Sequence, residues 1–257
     1  MEVKKHVIFY LDILGYKNLI SSCKNPEEET VYLEKIYSLM MSISAHIDKR
    51  NAIIDNLDNK YPLNLSRFKS CVFSDNILFF APYEDDTDAS NLYMNLLYGL
   101  SEFMLQYENG DLFFRGAITK GELFYDEKAH FVFGSGLVRA YELESNNAIF
   151  PRIILDENLN PSPIMVGTTQ DEYGVWYFDY LLLAYSLLCG KKPSENIDYF
   201  CQCLSYHQNN IMTALMKYRA NMRIWKKYKW LAKYHNNFCR RMKFEDFLIK
   251  WRNKVVD

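Results

Sequence analysis

One eight-residue segment constrains this chain more than any other. His6 to Ile13, HVIFYLDI, is β-rich and apolar almost throughout, as expected of a central strand buried on both faces. Asp12 lies near its end, where burying an unpaired carboxylate would cost several kcal/mol. Gly15 then stops the run. The chain therefore begins with the middle of a sheet and a charge that needs a reason to be there.

The rest of the first 155 residues supplies the partners of that strand. Asn25-Pro26 opens a helix, Asn as cap and Pro at the first helical position, with the stripe Val31, Leu33, Ile36, Leu39, Met40, Ile43, Ile47. Leu65–Phe73 and Ile77–Phe80 read as two short strands joined at Ser74-Asp75-Asn76 in a tight hairpin. A second helix from about Thr87-Asp88 carries Leu92, Leu96, Leu100, Phe103 and Met104, and Asn109-Gly110-Asp111 ends it. Strand Leu112–Thr119, a turn at Gly121 and strand Glu122–Tyr125 follow. Gly134 and Gly136 then open a helix through about Glu144, and Ala148–Leu155 is a further strand.

The order β-α-β-β-α-β-β-α-β begins with a split βαβ, or ferredoxin-like, unit: an α+β fold, an antiparallel sheet with helices on one face. After Pro161 and Pro163 the pattern is helical to the end. Two units are expected, an α+β domain over 1–160 and a basic helical extension over 161–257 packed on it or on a dimer. At about 150 residues per domain, 257 residues suit one or two.

Charge divides the chain in the same way. Residues 217–254 hold 13 Lys/Arg against Glu245 and Asp246, a net of +11, whereas the whole chain carries −2. A basic tail on an acidic body points to an anionic partner, a docking surface for a second copy, or a solvated helical face. Interleaved aromatics (Tyr218, Trp225, Tyr228, Trp230, Tyr234) raise nucleic-acid binding. The acidic body and the lack of an RNP-like, KH-like or zinc-knuckle motif argue against it. The six cysteines form no CxxC pair, no secretory signal is legible, and no apolar run nears the ~20 residues of a membrane span. A cytoplasmic protein with reduced thiols, bound to neither membrane nor nucleic acid, is expected.

If the first strand lies beside the hairpin, Asp12 and Asp75 converge. Paired carboxylates at a strand end make a hard-oxygen site for Mg²⁺ or Mn²⁺, ions that bridge phosphates. The residues alone leave the alternative open that Asp12 caps the next helix and Asp75 merely turns the hairpin.

Four segments carry a family resemblance. FYLDILGY (Phe9–Tyr16) resembles the first metal motif of class III nucleotide cyclases, CVFSDNILFF (Cys71–Phe80) the hairpin of their second metal Asp, RGAITKG (Arg115–Gly121) the next strand, and FGSGLVRAYELE (Phe133–Glu144) the glycine turn and helix beyond. The resemblance spans roughly residues 5 to 156. It implies two Mn²⁺ or Mg²⁺ ions held by Asp12, Asp75 and the carbonyl of Ile13. It also implies Asp12, Asp75 and Arg115 as catalytic residues, and a nucleotide met by Phe9, Ile13, Tyr16, Arg115 and Arg139. The active sites would lie between the two subunits of a homodimer.

The departures are equally informative. The helix positions of the family's transition-state Asn and phosphate-stabilising Arg hold Val138 and Glu142. The purine-reading pair falls at Cys71 and Phe131. The chain is most similar to bacterial pyrimidine cyclases of Pycsar anti-phage defence, through Arg115–Ile118, Val138–Glu144, Pro151–Ile153 and a KYxWLAxYHN-like stretch over Lys227–Asn236. That resemblance implies cyclisation of UTP or CTP to a second messenger sensed by a separate effector. A cyclase-like homodimer that binds a nucleotide or protein without turnover is the alternative. The basic tail, including Lys229 and Lys233, would buttress the dimer or lend positive potential, with Trp230, Tyr234 and His235 as packing.

Overall fold

The first strand is the centre of the molecule. In the computed structural model, which describes residues 1–38, 41, 67–106, 113–190, 193–251 and 254–256, β1 (Lys4–Ile13) is buried from His6 onward. It is flanked antiparallel by β3 (Asn76–Pro82) and β4 (Phe114–Asp126). β2 (Lys69–Phe73) pairs with β3 at one edge. Beyond β4 lie β6 (Ile153–Leu155), parallel to it, then β8 (Trp176–Phe178) and β7 (Thr168–Gln170), while β5 (Phe131–Phe133) pairs with the far end of β4. The order β2-β3-β1-β4 is the split βαβ arrangement, so the α+β expectation holds; β4–β6 is the parallel exception.

Alternation along β1 builds two layers. Val7, Phe9, Leu11 and Ile13 join the main core with α3 (Asp86–Gln106), α5 (Tyr180–Cys189), α6 (Pro193–Lys217) and α7 (Met222–Met242). Ile8 and Tyr10 face the other way, onto α4 (Ser135–Asn147). Helices therefore cover both faces rather than one, which matches the apolar run Val7–Leu11 on both sides of β1. Each such side chain, fully buried, contributes roughly 2 kcal/mol.

Several expectations shift on the fold. A short helix, α1 (Tyr16–Ser22), precedes the helix capped at Asn25, whose Oδ1 accepts from the Glu28 N–H at 2.9 Å. Ile36 of that second helix (α2, residues 26–38) is buried, but Val31 and Leu33 stay 63% and 64% exposed. Gly121 makes no turn, since β4 runs straight through it. A Cβ there would lie 2.5 Å from the Cα of Gly136, so the glycine pair exists to let α4 sit directly on β4. Ala148 to Arg152 is irregular and only the last three residues of the expected strand form β6.

Beyond residue 160 the chain is not helical throughout: β7 and β8 extend the sheet, and β9 (Lys250–Trp251) pairs with β10 (Lys254–Val255) after α7. The main core runs from Val7 to Val256 across the expected boundary. No described helix is long and apolar enough to cross a membrane. The stripe positions Leu39, Met40, Ile43 and Ile47, the strand start at Leu65, and the Asn109–Leu112 break lie outside the described residues.

Candidate active site

The sheet brings Asp12 and Asp75 to one place. Asp12 stands opposite Arg115 of β4 and Asn76 of β3. Asp75 is the second residue of the two-residue turn between β2 and β3, after Ser74 at φ 56. Its carbonyl accepts from the Ile13 N–H at 3.2 Å, which pins the hairpin tip to the end of β1. The two carboxyl groups line one pocket, and Asp75 lies close enough to raise the proton affinity of Asp12. Asn76 donates to Asp75 Oδ1 at 3.2 Å and is itself oriented by the Tyr10 hydroxyl, 2.7 Å from its Oδ1.

Arg115 answers the charge of Asp12. Its Nε donates to Asp12 Oδ2 at 2.6 Å, and its Nη2 lies 2.9 Å from Oε1 of Glu144 on α4. The second contact is an ion pair without hydrogen-bond alignment, because that Glu144 oxygen has no hydrogen-bond partner. Burial pushes the Asp12 carboxyl well above the ordinary carboxylate range; Arg115 opposes the shift, while Glu144 and Asp75 add to it. Glu144 is raised by burial too, again against Arg115.

A pocket of about 480 Å³ opens over these groups. One wall is the turn from Ile13 to Asn18, where Gly15 takes a left-handed φ of 85. The other is the start of α7: Asn221, Arg223, Ile224 and Lys227. A second hollow of about 580 Å³ shares Arg115, Arg223 and Lys227 and continues along α7 to Phe150 and Lys226. Burial lowers the half-buried Lys227 ammonium's proton affinity, with Arg115 and Arg223 adding repulsion and Asp12 and Glu144 offsetting part of it.

Among the described residues no group of three or more His, Cys, Asp or Glu side chains is placed to hold a metal ion. The donors present are the Asp12 and Asp75 carboxylates, hard oxygens, with Ile13 lining the same pocket. Two carboxylates lining one pocket repel unless a proton or a cation sits between them. The donor chemistry fits a divalent ion.

The expected nucleotide contacts divide. Ile13 and Tyr16 line the pocket with Asp12, Asp75 and Arg115. Phe9 does not: it is fully buried and stacked on Phe79 at 5.9 Å, because its odd position points it into the main core. Arg139 is also elsewhere, its guanidinium held by both oxygens of Asp156 at 2.8 and 3.0 Å. Val138 and Glu142 are exposed on α4, Cys71 is half-buried, and Phe131 is exposed and stacked on Phe133.

Sequence reasoning missed Glu144, Arg223 and Lys227. The charge asymmetry singled out this helix, whose Arg223 and Lys227 line the pocket. Lys229 and Lys233 border a different cleft, beside Trp230 and Tyr234. There Trp230 is stacked between Phe150 and Tyr234, at 5.3 and 5.8 Å.

No protein-family model matches the chain, and no curated protein matches it. Among solved structures it is similar to the guanylyl cyclase Cya2 (16% identity, TM-score 0.40, 69% of this chain and 93% of that one). It is similar to the adenylyl cyclase CyaB from P. aeruginosa (14%, 0.39, 69% and 94%). A third is a bacterial light-regulated adenylyl cyclase (11%, 0.40, 79% and 98%).

Proposed function

We propose that this chain is a metal-dependent pyrimidine nucleotide cyclase that converts UTP or CTP into the 3′,5′-cyclic monophosphate and pyrophosphate. The observation that carries the reading is the Asp12–Asp75 carboxylate pair at the end of β1, in an open pocket beside Arg115. Asp12, Asp75 and the Ile13 carbonyl would hold the ions. When bound, these supply charge that activates the 3′-hydroxyl and steadies the phosphates. In the reaction the 3′-oxygen bonds to the α-phosphorus as the α–β phosphoanhydride breaks, releasing pyrophosphate and one proton.

The chain's own groups have separate tasks. Arg115, clamped by Asp12 and Glu144, orients the Asp12 carboxylate. Where a purine cyclase reads its base, Cys71 and Phe131 offer no strong donor or charged acceptor, which favours a smaller base packed against rings. An exposed apolar surface of Phe73, Phe131, Phe133, Val138 and Tyr141 on the α4 side supports a homodimer with shared sites. The cyclic product would act as a messenger in anti-phage defence through a separate effector.

Incubating the protein with Mn²⁺ and each ribonucleoside triphosphate in turn, with products resolved by mass, tests the reading. Cyclic UMP or CMP is the expected product; cyclic AMP or GMP would overturn the pyrimidine assignment. One observation favours a second reading, a binding homodimer without turnover: Arg115 already neutralises Asp12. That reading requires no Mn²⁺-dependent pyrophosphate release from any of the four.

A further inference from the structure

The start of α7 presents two cations to the site without giving them partners. Arg223 and Lys227 are four apart, hence neighbours on one side of the helix, and both line the pocket over Asp12 and Asp75. Among the described residues neither makes an ion pair, whereas the other guanidiniums around the sheet are committed: Arg115 to Asp12 and Glu144, Arg139 to Asp156, Arg152 to Asp171. Like charges at this spacing weaken a helix by a few tenths of a kcal/mol, and Arg115 adds a third positive charge to the same opening. Asp12 and Glu144, the acidic groups that attract Lys227, are already paired with Arg115. Such an arrangement is stable and useful opposite a ligand that brings several negative charges of its own.

We propose that the first two turns of α7 complete the site within the same chain as a polyphosphate-binding wall, Arg223 and Lys227 taking the β- and γ-phosphates of a nucleoside triphosphate. This deepens the cyclase reading and rests on it for the identity of the ligand. Arg223 can meet phosphate oxygens with a two-pronged fork, and Lys227 acts as a point charge deeper in the pocket. The hollow that continues past Arg223 to Lys226 leaves room for the chain of phosphates. The wall also supplies what α4 lacks, since Val138 and Glu142 bring no cation from that helix. The C-terminal extension is then part of the catalytic unit and not an appendage to it.

Binding of inorganic tripolyphosphate to the full-length, metal-free protein tests this without any need for turnover. Isothermal titration would compare the wild type with Arg223→Ala/Lys227→Met, Lys227→Met alone, Lys227→Arg and, as a control in the other cleft, Lys233→Met. The proposal expects the double variant to bind at least tenfold more weakly. Lys227→Met should fall between, while Lys227→Arg and Lys233→Met stay near wild type. For cyclisation, the KM of the nucleotide should rise in the same order. A wild type that ignores tripolyphosphate, or a double variant that binds it as tightly, overturns the proposal whether or not the protein makes cyclic nucleotide. If the double variant does not fold, Lys227→Met decides by the same criterion.

Discussion

The two halves of α7 treat polar groups in opposite ways. Its first turns hold Arg223 and Lys227 over a carboxylate pair, crowded and unpaired. Its second half buries Tyr234, His235 and Asn236, and each of these three side chains has a partner. Tyr234 donates to Asp179 Oδ1 at 2.8 Å and accepts from the Leu181 N–H at 3.0 Å. Asn236 donates to the carbonyls of Ile249 and Val256 and accepts from the Ile249 N–H, fastening the terminal β9–β10 hairpin to the helix.

His235 extends a directed chain. Its Nε2 faces the Phe247 carbonyl at 2.9 Å and must donate, so its Nδ1 accepts from His207 Nδ1 at 2.8 Å, and His207 Nε2 in turn accepts from the Tyr180 hydroxyl. Satisfied polar groups of this kind hold a structure in one arrangement. Charges left unsatisfied, at a cost to the fold, mark where something else binds.

The comparison can be broken first at its charged end. Asp75→Ala should lower cyclisation by more than about a hundredfold while leaving the melting temperature unchanged; activity within a few-fold of wild type would remove the carboxylate pair from the mechanism. At the satisfied end the reverse is expected. Asn236→Ala strands buried backbone groups of Ile249 and Val256 and should cost about 3 kcal/mol in urea unfolding, and a loss below 1 kcal/mol would show the hairpin held by packing alone.

Acid sharpens the contrast. Burial holds His207 neutral and lowers His235 from 6.5 to about 4. The unfolded chain therefore takes up protons first. Stability is full above pH 6.5 and is lost as pH falls toward 4, by about 2 kcal/mol between pH 7 and 5 from His235. Ring NMR should find His235 neutral at pH 5; a protonated ring there would contradict the buried chain. The smallest effect is expected at Lys233. Lys233→Ala should change stability by less than about 0.5 kcal/mol and turnover less than twofold, and a large loss of turnover would move the catalytic wall to the other side of α7.

What was legible followed local rules. A nearly apolar run of eight residues announces a central strand, and the split βαβ order that sets the hairpin beside it brings Asp75 to Asp12. Gly121 was misleading because glycine signals a turn and a close approach alike; only the position of Gly136 on α4 tells them apart. Phe9 shared a motif with Asp12 but not a face, and period-two alternation buries it. Val31 and Leu33 look like a core stripe, yet they stay exposed while Ile36 of the same helix is buried.

The sequence by itself pointed to the α+β class, the order of the sheet around β1 and the meeting of two carboxylates, because local periodicity fixes each strand and helix and the order of those elements matches a split βαβ unit. Only the tertiary structure decided that α4 covers the opposite face, that Glu144 and Asp12 share Arg115, and that Arg223 and Lys227 reach the site from over a hundred positions away. Those contacts depend on how the helices pack against the sheet, and packing is set by the shape of the whole core rather than by any local pattern.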